Sequence, residues 1–363
     1  MSRFSHSVGL LRRPRPALSG VRAHHGGSVA GWAGAGVVLL LALAVCSLLV
    51  GTGTAGSPGR AWDFLLGDRA ARADAQLRLA VLDVRLPRTL AAVLVGACLG
   101  TAGCLLQAAT RNPLAETGLL GVNSGAAFAV VVGLTWFGAS SPAALMLWAL
   151  LGGTAASAVV LLLAASGRAA ASPLRLVLAG SAIGATFHGL TSYVLLGTKA
   201  TFDTYRYWTI GSLAGVETRD LVPLLPVAAA GLLVALGCAR PLAALGLGDD
   251  GARSLGHHPG RIRLAAAASV SLLVGCAVAV AGPIAFLGLL APYAARTVAG
   301  ARMTVQLVLS ALVAADVMIA ADILARIVIR PWETPVSVLL ALVGGPLLIA
   351  IARSSRLSTA GAA

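Results

Sequence analysis

The sequence predicts an all-α polytopic membrane protein with about ten transmembrane helices and both termini in the cytoplasm. Apolar residues make up 58% of the 363 residues and charged residues only 11%, whereas a soluble domain carries about 25% charged residues. Several apolar runs reach the ~18–20 residues that a helix needs to cross a bilayer. These runs are rich in Ala and Leu without the alternation of strands, so we expect helices. A soluble fold, a disordered chain and a nucleic-acid-binding protein are therefore excluded, despite the net charge of +14.

Ten transmembrane spans follow from hydropathy, with Gly, Pro and charged residues marking their ends. We expect them at residues 31–52, 88–108, 119–136, 142–165, 174–196, 221–239, 264–281, 283–298, 305–328 and 334–352. The transmembrane domain is therefore predicted over 31–353. Before it lies a basic tail over 1–30 with five arginines and no acidic residue, and after it a short tail over 354–363.

The distribution of charge predicts the orientation of these spans. With the N-terminus inside, the inner segments carry 14 Lys and Arg residues against 3 Asp and Glu, and the outer segments carry 9 against 8. Lys and Arg are enriched in the cytoplasmic loops of membrane proteins. Both tails are therefore predicted to be cytoplasmic.

Three connections between spans are too long to be simple turns. Two lie on the predicted outer side, 53–87 and 197–220, and one lies on the inner side, 240–263. The inner connection contains several glycines, which permit sharp turns at both ends of a short element. The eighth span is also unusual, because it is short and contains Pro283 and Pro292. Such a helix is typical of segments that line a cavity or re-enter the membrane.

The sequence offers no catalytic, metal or cofactor site. A phosphate-binding loop requires a lysine after a glycine-rich turn, but the single lysine, Lys199, follows Thr198. The five cysteines all lie in apolar runs and are interpreted as small buried side chains. His257 and His258 are adjacent but have no cluster of further ligands beside them, so we interpret them as loop residues. We expect no ATP hydrolysis by this chain through that motif.

Polar residues within the spans suggest two further kinds of chemistry. Asp316 and Asp322 on the ninth span are costly in a bilayer and are candidates for a proton relay. Asp322 also lies four residues before Arg326, so an ion pair within the helix is available. Ser181 and His188 lie on one face of the fifth span, but seven residues separate them by roughly 10 Å along the axis. That distance is too long for the contact that an intramembrane hydrolase needs.

Arginines mark the outer ends of two spans. Arg85 and Arg88 flank the start of the second span, and Arg326 lies near the outer end of the ninth. They are either anchors that extend toward the membrane surface or a cationic patch for an acidic partner outside the membrane.

Several stretches together resemble the FecCD-type permeases, which import iron–siderophore complexes and cobalamin in ATP-binding-cassette (ABC) transporters. The matching residues are 85–88, 103–107, 110–115, 120–122, 208–215, 252–256, 282–289, Pro292, Arg296, 322–326, 333–336 and 344–346. Their order and spacing agree with the family from about residue 31 to residue 353. The chain departs from the family pattern at Tyr293, Ala314 and Ser337 and carries Asp316 as an additional acid.

The resemblance implies a ten-helix permease domain in the plasma (inner) membrane of a bacterium, with lipid around it. It implies a second permease chain, like or unlike, two cytoplasmic ABC ATPase subunits and an extracytoplasmic substrate-binding protein. It implies no cofactor and no nucleic acid. Energy would then come from the ATPase subunits, which agrees with the missing phosphate-binding loop.

The resemblance also assigns roles to particular residues. It implies that Arg85, Arg88 and Arg326 dock the substrate-binding protein. A short helix within 250–260 would contact the ATPase, with Asp250, Ala252, Leu255 and Gly256 as the coupling residues. The translocation path would be lined partly by the fifth and tenth spans, and the positions expected to line it are Ser181, Gly184, Gly189 and Ser192.

The cargo is left open between members of the family. The segment around Trp208 to Leu213 is most similar to the ferric-siderophore branch, and cobalamin or haem is the alternative. A proton-coupled secondary transporter that uses Asp316 and Asp322 is the alternative from a different class.

Overall fold

The computed structural model describes residues 29–51, 57–166, 172–329 and 332–353. Of the predicted N-terminal tail, 1–30, only residues 29 and 30 are among the described residues. The predicted C-terminal tail, 354–363, lies entirely outside them. The described residues form sixteen α-helices, one π-helical segment over Leu79–Arg85 and two short 3-10 turns over Thr117–Leu120 and Val222–Leu224, with no β-strand among them.

The α-helices are numbered in chain order. They are α1 Val29–Leu49, α2 Pro58–Leu66, α3 Arg69–Ala73, α4 Ala75–Arg78, α5 Leu86–Thr110, α6 Val122–Trp136, α7 Pro142–Ala165, α8 Pro173–Leu195, α9 Lys199–Ile210, α10 Thr218–Leu221, α11 Leu225–Leu245, α12 Asp249–Ser254, α13 Pro259–Ala281, α14 Leu287–Ala299, α15 Met303–Ile327 and α16 Val336–Arg353.

Each of the ten predicted spans overlaps one of these helices, which confirms the fold class. Six continuous helical stretches in the described residues are long and apolar enough to cross a bilayer: Val29–Leu49, Ala75–Thr110, Pro142–Ala165, Thr218–Leu245, Pro259–Ala281 and Met303–Ile327. The other four predicted spans correspond to α6, α8, α14 and α16, which are shorter or less apolar.

Helices α5 and α13 form the centre of the bundle. In each of them 78% of the most apolar 18-residue window is buried by the rest of the protein, whereas the figure for α1 is 6%. Helix α1 therefore lies at the periphery, where it packs mainly against α15. Its apolar side chains face outward, as expected of a helix that contacts lipid.

Small residues let the central helices approach closely. A Cβ atom added to Gly96 of α5 would lie 2.6 Å from the Ala315 Cα of α15, closer than real Cβ atoms come to other atoms. A Cβ atom added to Gly103 of α5 would overlap the backbone of Gly288 in α14. Small residues at helix contacts are the usual means of close packing in lipid. This packing aligns α15 with α5 and brings the charged residues near their ends together.

The long connections contain helices that hydropathy did not predict. Helices α2 to α4 together with the π-helical segment occupy most of the predicted outer loop 53–87, and α9 occupies half of 197–220. Asp74 begins α4 by accepting hydrogen bonds from the Gln76 and Leu77 amides at 3.0 and 3.2 Å, and the helix then runs through the π-helical segment into α5. Side-chain caps of this kind stabilise the starts of short helices.

The eighth predicted span begins later than expected. Residues 282–286 are not regular helix, and the 13-residue helix α14 starts only at Leu287. Gly282 and Phe286 both have positive φ angles, of 70° and 68°, which an α-helix does not accommodate. The helix is therefore interrupted just before α14.

Candidate functional site

Five charged side chains meet at the predicted outer end of the bundle, and we call them the outer charge cluster: Arg85, Arg88, Asp322, Arg326 and Glu333. Arg88 Nε donates a hydrogen bond to Asp322 Oδ1 at 2.7 Å, and Arg88 Nη1 donates to Glu333 Oε2 at 2.6 Å. Arg326 Nη2 pairs with the other oxygen of Asp322, which confirms the ion pair expected from their spacing. Asp322 is completely buried and is therefore held between two guanidinium groups.

The arginines of this cluster also close the end of α1. Arg326 Nη1 donates to the carbonyl oxygens of Ser47 and Val50 at 2.9 and 3.1 Å. Arg85 Nη1 donates to the carbonyl oxygens of Leu48 and Leu49 at 3.0 and 3.1 Å. The last carbonyl groups of a helix have no partner within the helix and carry partial negative charge. The two arginines therefore satisfy these groups and fix α1 to the ends of α5 and α15.

These contacts bear on the predicted docking residues. Arg85, Arg88 and Arg326 are brought together as the sequence suggested, but their side chains are only 4%, 5% and 2% exposed. Each already has partners inside the chain. Their docking role stays a prediction, and an acidic partner would have to compete with the internal contacts described here.

Asp316 lies apart from this cluster in the middle of α15. Its side chain is buried, and its Oδ1 atom makes no hydrogen bond within the described residues. One side of it faces α1, where a Cβ added to Gly36 would lie 4.0 Å from Asp316 Oδ2. Of the two candidate relay residues, Asp322 is therefore paired with Arg88 and Arg326. Asp316 contacts neither of these arginines.

A second ion cluster lies at the predicted inner end and holds α12 in place. Arg263 of α13 donates two hydrogen bonds to Asp249, from Nη1 to Oδ2 at 2.9 Å and from Nη2 to Oδ1 at 2.7 Å. Arg111, which ends α5 in a left-handed conformation with φ 51°, also pairs with Asp249. The hydrogen bonds from Arg263, together with the charges of both arginines, hold the pKa of Asp249 below its ordinary value. One carboxylate thus joins α5, α12 and α13.

Helix α12 presents one face to solvent. The predicted coupling residue Ala252 is completely buried and faces the bundle. Asp250 has a side chain 97% exposed and pairs with Arg253 at 2.7 Å. Leu255, just after α12, is 59% exposed, and Gly256 follows it with φ +78°. Glycine suits this turn because side chains disfavour that conformation, so α12 projects from the bundle as a short anchored element.

The predicted path residues lie on α8, and they divide into two pairs. Ser181 and Gly184 line a cavity of about 360 Å³ between α6, α8 and α9. Its wall also contains polar side chains that sequence reasoning did not assign to the path: Asn123, Ser124, His188, Tyr205 and Thr209. Periodicity alone could have found His188, which is seven residues from Ser181. Tyr205 and Thr209 depend on α9, a helix that hydropathy did not predict.

Gly189 and Ser192 lie outside that cavity on the exposed surface of α8. A Cβ added to Gly189 would meet nothing within 4 Å. The hydroxyl of Ser192 donates to the His188 carbonyl oxygen at 2.9 Å. All four predicted path residues are at least partly exposed in the single chain, so the surface they form is open and only weakly polar.

Sequence relatives among curated proteins are permeases for iron chelates and for cobalamin. The ferric enterobactin transport system permease protein FepD of Escherichia coli (strain K12) is 41% identical over 277 residues, 75% of this chain and 81% of that protein. The iron(3+)-hydroxamate import system permease protein FhuB of Bacillus subtilis (strain 168) is 35% identical over 88% of this chain and 84% of that protein. The vitamin B12 import system permease protein BtuC of Vibrio cholerae is 34% identical over 86% of this chain and 90% of that protein.

The fold is similar to that of a solved transporter. An ABC transporter described as being of the metal-chelate type, in an inward-facing conformation, matches with a TM-score of 0.76 and 29% sequence identity. The match covers 88% of this chain and 97% of that chain.

The family model of the FecCD transport family matches residues 39–354. This segment includes both ion clusters, α8 and α12. The chain belongs to the FecCD transport family.

Proposed function

We propose that this chain is the transmembrane permease subunit of an ABC importer in a bacterial inner membrane, and that it takes up iron–siderophore complexes. One observation carries the proposal. The family match extends over residues 39–354, and the relatives that cover most of the chain include permeases for ferric enterobactin and for iron(3+)-hydroxamate. The likeness to a metal-chelate type ABC transporter supports the same conclusion.

The permease is a pathway rather than an enzyme in this proposal. ATP hydrolysis takes place on two separate cytoplasmic ATPase subunits, and an extracytoplasmic binding protein delivers the chelate. A second permease chain, like or unlike, completes the path. The exposed small and polar residues of α8 support this arrangement, because a large chelate passes most readily along a surface that does not bind it tightly.

Helix α12 is the proposed contact with the ATPase. It is anchored from behind by Asp249 and exposes Asp250 and Leu255 in front. Movement of the ATPase against this face would reach α5 and α13 through the Asp249–Arg263 and Asp249–Arg111 pairs.

The coupling proposal is tested by changing the exposed face without touching the anchor. Leu255→Asp combined with Gly256→Asp should insert normally into the membrane but lose transport-linked ATP hydrolysis by the assembled complex. Ala301→Asp, at an exposed position in the connection between α14 and α15, is the matched control and should retain it. Normal coupling in the Leu255 and Gly256 variant would contradict the proposed role of α12.

The outer charge cluster is the proposed docking region for the binding protein. Arg85→Glu with Arg88→Glu should weaken docking, but such a change also disturbs the internal pairs with Asp322 and Glu333. Acidic-to-basic reversal on the binding protein separates the two effects. Partial restoration of docking supports direct contact, whereas no restoration shows that these arginines serve only the internal cluster.

The cargo is tested in cells by deleting the gene and measuring uptake of radiolabelled iron from siderophores. Deletion should abolish uptake from at least one siderophore and impair growth on chelated iron, while growth on abundant free iron stays normal. Uptake should stop when the ATPase is removed and survive collapse of the proton gradient. Unchanged uptake from every siderophore that the cell uses would favour cobalamin, which the BtuC relatives transport. Loss of uptake with the proton gradient alone would favour a secondary transporter.

A further inference from the structure

A basic cavity of about 470 Å³ opens beside the start of α13, on the predicted inner side. Its wall includes Arg253 of α12, His257 and His258 in the following turn, and Arg261 in the first turn of α13. None of the described residues that line it is acidic. We call it the basic inner cavity.

The electrostatics of this cavity favour an anion. The side chains of Arg253 and Arg261 are both exposed, so a ligand can reach them without displacing buried groups. Arg253 pairs with Asp250, but the Asp250 side chain is 97% exposed and lies outside the cavity wall. The N-terminus of α13 points its partial positive charge at the same place, and its first residue, Pro259, also belongs to the wall.

Part of the cavity wall is apolar and lies at the predicted membrane boundary. Ala165, the last residue of α7, and Leu264 of α13 line it. Both residues lie at the inner ends of predicted spans, at the boundary between water and lipid. Leu162 is one helical turn deeper on α7 and is 70% exposed. The cavity therefore combines a basic rim, formed by Arg253, His257, His258 and Arg261, with an apolar surface at the predicted membrane boundary.

We propose that the basic inner cavity binds the phosphate headgroup of an anionic phospholipid from the adjacent leaflet. The headgroup lies between Arg253, His258 and Arg261, and its acyl chains lie along Leu264 and the exposed end of α7. Basic residues next to a membrane surface each attract anionic lipid with a free energy of about 1 kcal/mol. An acidic protein segment or a free phosphate would use the basic rim but would leave the apolar wall uncovered. The site depends only on the membrane location of the chain and holds whether or not the proposed cargo is right.

The full-length chain is tested in lipid nanodiscs made of phosphatidylcholine with a minor fraction of phosphatidylglycerol. Bound phosphatidylglycerol is counted by native mass spectrometry. Arg261→Gln should lower its apparent affinity about fivefold, the change that corresponds to one basic residue, and Arg261→Lys should restore most of it. Arg302→Gln, an exposed arginine on the same predicted side outside the cavity, should have no effect. Leu264→Asn should also weaken lipid binding, because the apolar wall is lost while the charge is kept.

Three results would overturn the proposal. The first is equal loss of phosphatidylglycerol in Arg261→Gln and Arg302→Gln, which would indicate general surface charge. The second is displacement of the lipid by millimolar inorganic phosphate, or insensitivity to Leu264→Asn, either of which would indicate a free anion site. The third is release of the lipid from the wild-type chain when the ATPase subunits assemble, with weaker assembly in Arg261→Gln, which would assign the cavity to the subunit contact.

Discussion

Removing the charge of Asp322 is expected to destabilise the protein strongly. Asp322 is completely buried and binds Arg88 through one oxygen and Arg326 through the other. Asp322→Asn keeps the size of the side chain but leaves two nearly buried guanidinium groups without their shared counter-ion. Breaking a buried ion pair from one side costs about 3–5 kcal/mol. Arg88 keeps Glu333 as a partner and Arg326 keeps the α1 carbonyl groups. We therefore expect the loss of unfolding free energy to lie toward the lower end of that range.

The loss is measured as a shift in the thermal unfolding midpoint of the purified chain in detergent. One kcal/mol shifts the midpoint by about 2–4 °C in chains of 150–250 residues, and the lower value suits this longer chain. We therefore expect a decrease of roughly 6–8 °C, on the same scale. Asp83→Asn is the matched control, because Asp83 is exposed on the same predicted side. A shift for Asp322→Asn no larger than that of Asp83→Asn would refute the account of the outer charge cluster.

Three other predictions follow from the contacts described above. Gly96→Ala should cost about 1–3 kcal/mol through overpacking against α15, and Gly237→Ala, where a Cβ meets nothing within 4 Å, should not destabilise the chain. Asp249→Asn should lower the unfolding midpoint at pH 7. Because the partners of Asp249 lower its pKa, its contribution is present above its ordinary pKa of about 4 and is lost as the pH falls through the lowered value. The difference between wild type and Asp249→Asn should therefore shrink in midpoints measured at successively lower pH. Gly189→Trp should block iron uptake while the binding protein still holds its ligand and the unfolding midpoint stays unchanged, because that position has open space around it.

The positions of the spans could be predicted because they depend on local composition. A run of about 20 apolar residues must be helical in lipid whatever it packs against, so all ten predicted spans contain helices. Helices α2 to α4 and α9 could not be predicted in this way. Each is far shorter than a transmembrane run. Helices α2, α3 and α4 begin at side-chain caps from Ser57, Asp68 and Asp74, whose effect does not appear in hydropathy, whereas α9 has no side-chain cap.

The charged sites were predictable only where both partners lie on one helix. The Asp322–Arg326 pair follows from a spacing of four residues, but Arg88 meets Asp322 and Glu333 across 234 and 245 residues of sequence. That pairing depends on the close approach of α5 and α15. At the inner end, the predicted contact of Asp250 with the ATPase stays a prediction, but the pairing of its neighbour Asp249 with Arg263 was not predicted from the sequence. The two carboxylates point in different directions because they are consecutive on α12. Asp249 lies three residues before the buried Ala252 and therefore shares the face that packs against the bundle.

The most direct test of the proposed function uses the purified permease assembled with its partner chain, its ATPase subunits and its binding protein in sealed proteoliposomes. The ATPase subunits face the outside, the binding protein and a radiolabelled iron–siderophore complex are enclosed, and release of iron to the outside is followed. We expect release that requires ATP outside, fails with an ATPase unable to hydrolyse ATP and persists without a proton gradient. Release that follows an imposed proton gradient and ignores ATP would contradict the assignment of this chain as an ABC importer permease.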